Sequence, residues 1–165
     1  RLSADYGRLP SDEKLLQEYI RSALLIKQRY IEADEFDLGI RNIFNYGHSF
    51  GHAIESATGF AVPHGIAVTM GMEVANRIAT LRGLLPEDQY RRMQPMLVKN
   101  YGQFADAHLP VQAVLDALTK DKKNTSQNLV LILPTGKEAR ISRVEVGNDM
   151  AFRGQLESAI AGLLT

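Results

Sequence analysis

Apolar residues recur at spacings of mostly three and four early in the chain. Leu16, Tyr19, Ile20, Ala23, Leu24, Ile26 and Tyr30 fall on one stripe, and Lys14, Gln17 and Arg21 fall mostly off it. That period predicts an amphipathic helix with one broad buried face. Ser11-Asp12-Glu13 supplies its start, with a capping group and acids at the positive end of the helix dipole, and the helix is expected to run to about Asp34. After a polar connection over Glu35 to Gly39, a second helix is expected over Tyr46 to Ala57, closed by Gly59. A third is expected from His64 to about Arg82, closed by Gly83. No charge occurs between Gly65 and Met72, so the third helix is expected to be buried on nearly all sides and to be the centre of the domain.

Pro86-Glu87-Asp88 opens a fourth helix, which Pro95 is expected to kink or split and Tyr101-Gly102 to end. Val111 to Leu118 reads as a short helix, Leu129 to Leu133 as the strongest strand, Ile141 to Val146 as its partner, and Phe152 to Leu164 as a closing helix. The expected fold is therefore mainly α, with at most one small β-hairpin, as a single domain over residues 1–165.

Composition narrows the function. The chain has 165 residues, 19 basic against 19 acidic, for a net charge of zero. Without a basic run, nucleic acid and anionic membranes are not expected partners. No apolar stretch approaches the roughly 20 residues of a membrane span and no charged-then-apolar leader opens the chain, so a cytoplasmic location is expected. The absence of cysteine excludes disulfides, thiolate metal sites and cysteine nucleophiles, so any metal must sit on His, Asp or Glu. The chain opens at Arg1 rather than methionine, as expected of a piece of something longer.

Three of the four histidines, His48, His52 and His64, lie close together in sequence, and the first two are four apart on one face of a predicted helix. Imidazoles at that spacing can converge on a divalent ion, although zinc ordinarily takes at least three protein ligands. A hydrogen-bonded pair with no ligand role is the plain alternative. Gly47 and Gly51 on the same helix suit close packing, Met70 and Met72 suit the core, and His108 suits a loop. Asn124-Thr125-Ser126 fits a glycosylation sequon, which in a cytosolic chain is a chance match.

The string from Arg41 through Asn45, Gly47, His48, Gly51 and His52 to Glu55, followed by Pro63-His64-Gly65, resembles the metal-binding signature of the 3-dehydroquinate synthases, members of the sugar phosphate cyclases. The resemblance extends through Ile26-Lys27, Ala33-Asp34-Glu35, Gly71-Met72, Leu109-Pro110 and Asp121-Lys122-Lys123, in order and at compatible spacing. It implies the helical C-terminal domain of a two-domain lyase whose N-terminal domain binds NAD. The implied reaction converts 3-deoxy-arabino-heptulosonate 7-phosphate to 3-dehydroquinate with loss of phosphate, in the shikimate pathway of aromatic amino acid biosynthesis. A homodimer is implied, with a divalent metal, usually zinc and with cobalt possible. His48 and His64 match the family's metal histidines, and the matching glutamate lies upstream of Arg1. Lys27 and Arg41 match residues that hold the substrate carboxylate. Asn45, His52 and one of Lys122 or Lys123 would surround the phosphate and the proton that moves. Without the NAD domain the chain alone is expected to be inactive.

One position departs from the pattern. After His64-Gly65 the synthases place a glutamate, and here it is Ile66. A carboxylate there can orient a metal-binding histidine, and an isoleucine cannot. The related iron-dependent alcohol and glycerol dehydrogenases often carry an apolar residue at that point, but they lack the Arg41-to-His48 string. An aminodehydroquinate synthase, a dehydrogenase-like domain and a non-catalytic dimerisation module remain as alternatives. Retention of both Lys27 and Arg41 argues for a carboxylate-bearing substrate.

Overall fold

The computed structural model describes residues 1–36, 39–104, 106–120, 124–125 and 127–163. It divides into two compact units, Arg1–Asn42 and Ile43–Thr165. In the first, a short α1 (Leu2–Asp5) and a 3-10 turn precede α2 (Glu13–Ala33). The α2 start is as expected: Asp12 caps it, its carboxylate accepting from the Leu15 amide at 3.1 Å. Tyr19 donates to Asp5 at 2.8 Å, tying the opening segment to the helix.

The expectation of a buried stripe on α2 is not met. None of its residues is buried, and Leu24 is 62% exposed. The period of three and four marks the helix that forms, but it reports amphipathicity and not what covers the apolar face. Within its own unit α2 has only the short opening segment available, which is too small to cover a stripe of six turns.

The second unit is built around α4 (His64–Leu81), which packs against α3 (His48–Ala57), α5 (Glu87–Tyr101), the strand β1 (Asn128–Thr135) and α7 (Met150–Ala161). Ten of the α4 residues are buried, as its uncharged opening turns predicted. The helix α6 (Val111–Thr119) closes over α3. β1 pairs antiparallel with β2 (Arg140–Gly147), Asn128 opposite Gly147 and Thr135 opposite Arg140, which is the expected hairpin. Six consecutive β1 residues are buried, so the strand joins the core rather than lying on it. The core gathers Phe50, Ile54, Met70, Ile78, Leu131 and Phe152 among others.

Of the two outcomes expected at Pro95, the split does not occur: the proline lies inside α5, which runs unbroken from Glu87 to Tyr101. Proline removes one backbone donor, and packing of α5 against α4 holds the helix continuous across that gap. Among the described residues no helix is long and apolar enough to cross a membrane.

Candidate functional site

The site lies where α3 meets the start of α4, and glycines make that meeting close. A methyl group built on Gly71 would stand 2.1 Å from the Gly47 carbonyl oxygen, and one on Gly51 would stand 2.9 Å from the Val68 Cα. Gly47 also has φ of +78°, a left-handed conformation that starts α3 and puts His48 in its first turn. From there His48, His52 and Glu55 follow at i, i+4 and i+7, one stripe of one helix.

His64 comes to that stripe through the end of α3. The Phe60 amide donates to the Glu55 carbonyl at 2.8 Å and the Gly59 amide to the Ser56 carbonyl at 3.3 Å. With Gly59 at φ of +58° this is a Schellman reversal, which turns the chain back at once. Pro63 then stands before α4, and His64 is its first residue.

The three imidazoles converge. Ring centres are 5.7 Å apart for His48 and His52, 5.7 Å for His48 and His64, and 5.6 Å for His52 and His64. Rings sharing one zinc, with metal–nitrogen distances of about 2.1 Å, have centres about 5–6 Å apart, so the ring spacing is that of imidazoles around one ion. By ligand atoms, the group among the described residues whose members lie within 4.8 Å of one another is His52, Glu55 and His64, and His48 is not part of it.

The ring nitrogens are treated differently. His48 Nδ1 makes a long 3.4 Å contact with the Tyr46 carbonyl, and His64 Nδ1 lies 3.1 Å from Glu55 Oε2. A backbone carbonyl and an ionised carboxylate both accept, so the tautomer with the proton on Nδ1 and a lone pair on Nε2 is the one that satisfies these two contacts. That is the pattern in which an outer contact sets a histidine for metal binding. His52 has no such contact among the described residues. Burial holds His48 below the ordinary imidazole range, and His52 and His64 push the same way, which favours the neutral ring a metal requires.

His48, His52, Glu55 and His64 thus stand together, and the chain's affiliation follows from comparison. The 3-dehydroquinate synthase C-terminal family model matches residues 2–124. The chain belongs to this family. It is 38% identical over 130 residues to a 3-dehydroquinate synthase of Sulfurovum sp., covering 76% of this chain and 36% of that protein. It is 37% identical over 140 residues to a 3-dehydroquinate synthase of Prochlorococcus marinus, covering 84% and 37% respectively. The chain therefore spans little more than a third of the length of these curated relatives. Among solved structures, a 2-deoxy-scyllo-inosose synthase complexed with carbaglucose-6-phosphate, NAD+ and Co2+ superposes with a TM-score of 0.69 at 24% identity, covering 90% of this chain and 42% of that one. A 2-epi-5-epi-valiolone synthase from Streptomyces hygroscopicus with NAD+ and Zn2+ bound gives 0.70 at 21%, covering 98% and 44%. At these identities the two structures establish the helical fold with its hairpin.

The remaining family-matched positions are spread over the chain. Lys27 is exposed on α2, in the first unit. Arg41, in the same unit, donates from Nη1 to the carbonyls of Glu35 at 2.7 Å and Asp34 at 3.2 Å, while Asp34 accepts from the Arg41 amide at 3.0 Å. Asn45 is half-buried and belongs to the second unit. Lys122 and Lys123 lie outside the described residues. Beside His52 a cleft of about 270 Å³ is lined by Ser49, Ala53, Ser56, Ala117 and Lys120, so a cation from the end of α6 stands at its wall.

Two features were not anticipated from the sequence. Glu55 ends the matched string without a role of its own there, although its i+3 spacing from His52 places both on one face. Behind the site, the Tyr46 hydroxyl donates to Asn76, and Tyr90 donates to Glu73 at 2.7 Å, both acceptors being buried on α4. Nothing in the apolar period of α4 announces them.

Proposed function

We propose that this chain is the metal- and substrate-binding part of a two-domain 3-dehydroquinate synthase, a lyase that converts 3-deoxy-arabino-heptulosonate 7-phosphate to 3-dehydroquinate with release of phosphate. The observation that carries this reading is the convergence of His48, His52 and His64, with Nδ1 of His48 and of His64 engaged and His52 left without an outer contact. In this reading His48 and His64 hold a divalent metal, zinc or cobalt, with a glutamate from a segment preceding Arg1. A nucleotide domain in the same polypeptide holds NAD. When bound, NAD supplies reversible hydride removal and the metal supplies a Lewis acid for the substrate oxygens.

The chain's own residues bind the two anionic ends of the substrate and manage the proton. Arg41, with Nη1 held by two backbone carbonyls, has its guanidinium plane fixed in advance for a bidentate contact with the carboxylate, and Lys27 adds a second cation. That pair favours a sugar phosphate that carries a carboxylate over one that does not. A ring nitrogen of His52, with Asn45 and one of Lys122 or Lys123, orients the departing phosphate and relays its proton. The enzyme works in this reading as a cytoplasmic homodimer, and the chain alone is inactive for want of its NAD domain.

The test is phosphate release by the full-length protein from 3-deoxy-arabino-heptulosonate 7-phosphate with NAD and zinc, beside a His48→Ala variant. Release that vanishes in the variant is expected. No release from a folded, zinc-loaded protein would remove the assignment.

A further inference from the structure

Ile66 stands where the family pattern has a glutamate, and its side chain packs against the hydrophobic core. It offers His64 no polar partner. The carboxylate that does face His64 comes from the other helix, Glu55 on α3, whose Oε2 is 3.1 Å from His64 Nδ1. The contact is built rather than incidental. The Schellman reversal that returns the chain toward α3 is closed by the backbone carbonyl of Glu55 itself, and the Glu55 side chain is only 12% exposed while that of His64 is 56% exposed.

We infer that Glu55 is the positioning residue of His64: it accepts from Nδ1–H, fixes the tautomer whose Nε2 is the lone-pair nitrogen, and supplies from α3 the carboxylate that Ile66 does not. The inference rests on the reading of His64 as a metal ligand. Its physical basis is direct. With an unprotonated Nδ1, two acceptors would face each other at hydrogen-bond distance, and the pair would separate. With Nδ1 protonated, the contact both orients the ring and raises the basicity of Nε2.

Two readouts test this. Nitrogen NMR on the chain, taken where the imidazoles are neutral, is expected to find His64 as the Nδ1–H tautomer in the wild type and to find that preference lost in Glu55→Ala. Zinc affinity of the full-length protein, measured by competition with a chromophoric chelator, is expected to fall by about 10–100-fold in Glu55→Ala. Glu55→Gln, whose amide oxygen still accepts, keeps the tautomer and recovers most of the affinity. An Nε2–H tautomer in the wild type, or an unchanged one in Glu55→Ala, overturns the inference. So does a cobalt-substituted visible spectrum altered as much by Glu55→Gln as by Glu55→Ala, which would make Glu55 itself a ligand. The expected tautomer shift in a protein that binds no zinc would instead sink the metal reading above and leave the contact supported.

Discussion

The Tyr46 hydroxyl donates to the Oδ1 oxygen of Asn76, a fully buried α4 side chain whose Nδ2 has no hydrogen-bond partner. Tyr46 lies two residues before His48, and its carbonyl is the group that faces His48 Nδ1. One residue therefore ties the start of α3 to α4 with its side chain and engages a site histidine with its backbone. Tyr46→Phe leaves Asn76 with both polar atoms unpaired in the core. It is expected to cost about 1–3 kcal/mol of stability, read from denaturant midpoints. A variant as stable as the wild type would mean the bond contributes nothing net.

Gly71 bears on the same junction from the other helix. A methyl group there would run into the Gly47 carbonyl at 2.1 Å and the Gly51 amide nitrogen at 2.6 Å, both backbone atoms that cannot rotate away. Gly71→Ala is expected to force α3 from α4 and to destabilise by about 1–3 kcal/mol or more. Because His48 and His64 sit on the two helices being separated, zinc affinity should fall with stability. Loss of stability alone would show that the site tolerates the displacement.

The elements of the second unit were legible because each carries its own punctuation. Gly59 and Gly83 end α3 and α4 in left-handed turns, and Pro86 and Pro110 stand directly before α5 and α6. The stripe of α2 misled because a period identifies a face without identifying its cover. The histidines were legible through their pattern, whereas the Glu55 contact needed the α3 reversal. Asn76 and Glu73 sit among Val74, Ala75 and Ile78, where the apolar neighbours masked them.

Glu73 gives the fold a pH dependence. It is almost wholly buried, and burial raises its carboxyl above the ordinary value of 4.5, against the opposing pull of the Tyr90 hydrogen bond and Arg77. Tyr90, pushed up to about 12 by burial and by Glu73, stays neutral throughout. Since the folded state holds the Glu73 proton more tightly than the unfolded state, its favourable contribution is complete below the ordinary 4.5 and is lost as pH rises through the raised folded value. Glu73→Gln removes that dependence while keeping an acceptor for Tyr90. The variant's stability relative to wild type is expected to improve on going from pH 4 to about pH 8. A difference constant with pH would show that Glu73 titrates as it does in the unfolded chain.

His52 differs from His48 and His64 in what its loss should remove. The latter two have Nδ1 engaged and Nε2 set as a lone-pair donor, whereas nothing among the described residues fixes either nitrogen of His52, which borders the cleft with Lys120. A ring free to exchange its proton suits acid–base work better than fixed coordination. In the full-length protein His52→Asn is expected to keep zinc affinity and to slow phosphate release by about 10²–10⁴-fold, whereas His48→Ala loses zinc itself. Zinc competition and single-turnover phosphate release, measured on the same preparations, separate the two effects. If His52→Asn lost zinc as fully as His48→Ala, His52 would join the ligands. Its ligand atom, within 4.8 Å of those of Glu55 and His64, would then point to a metal held lower on α3 than His48 and His64 imply.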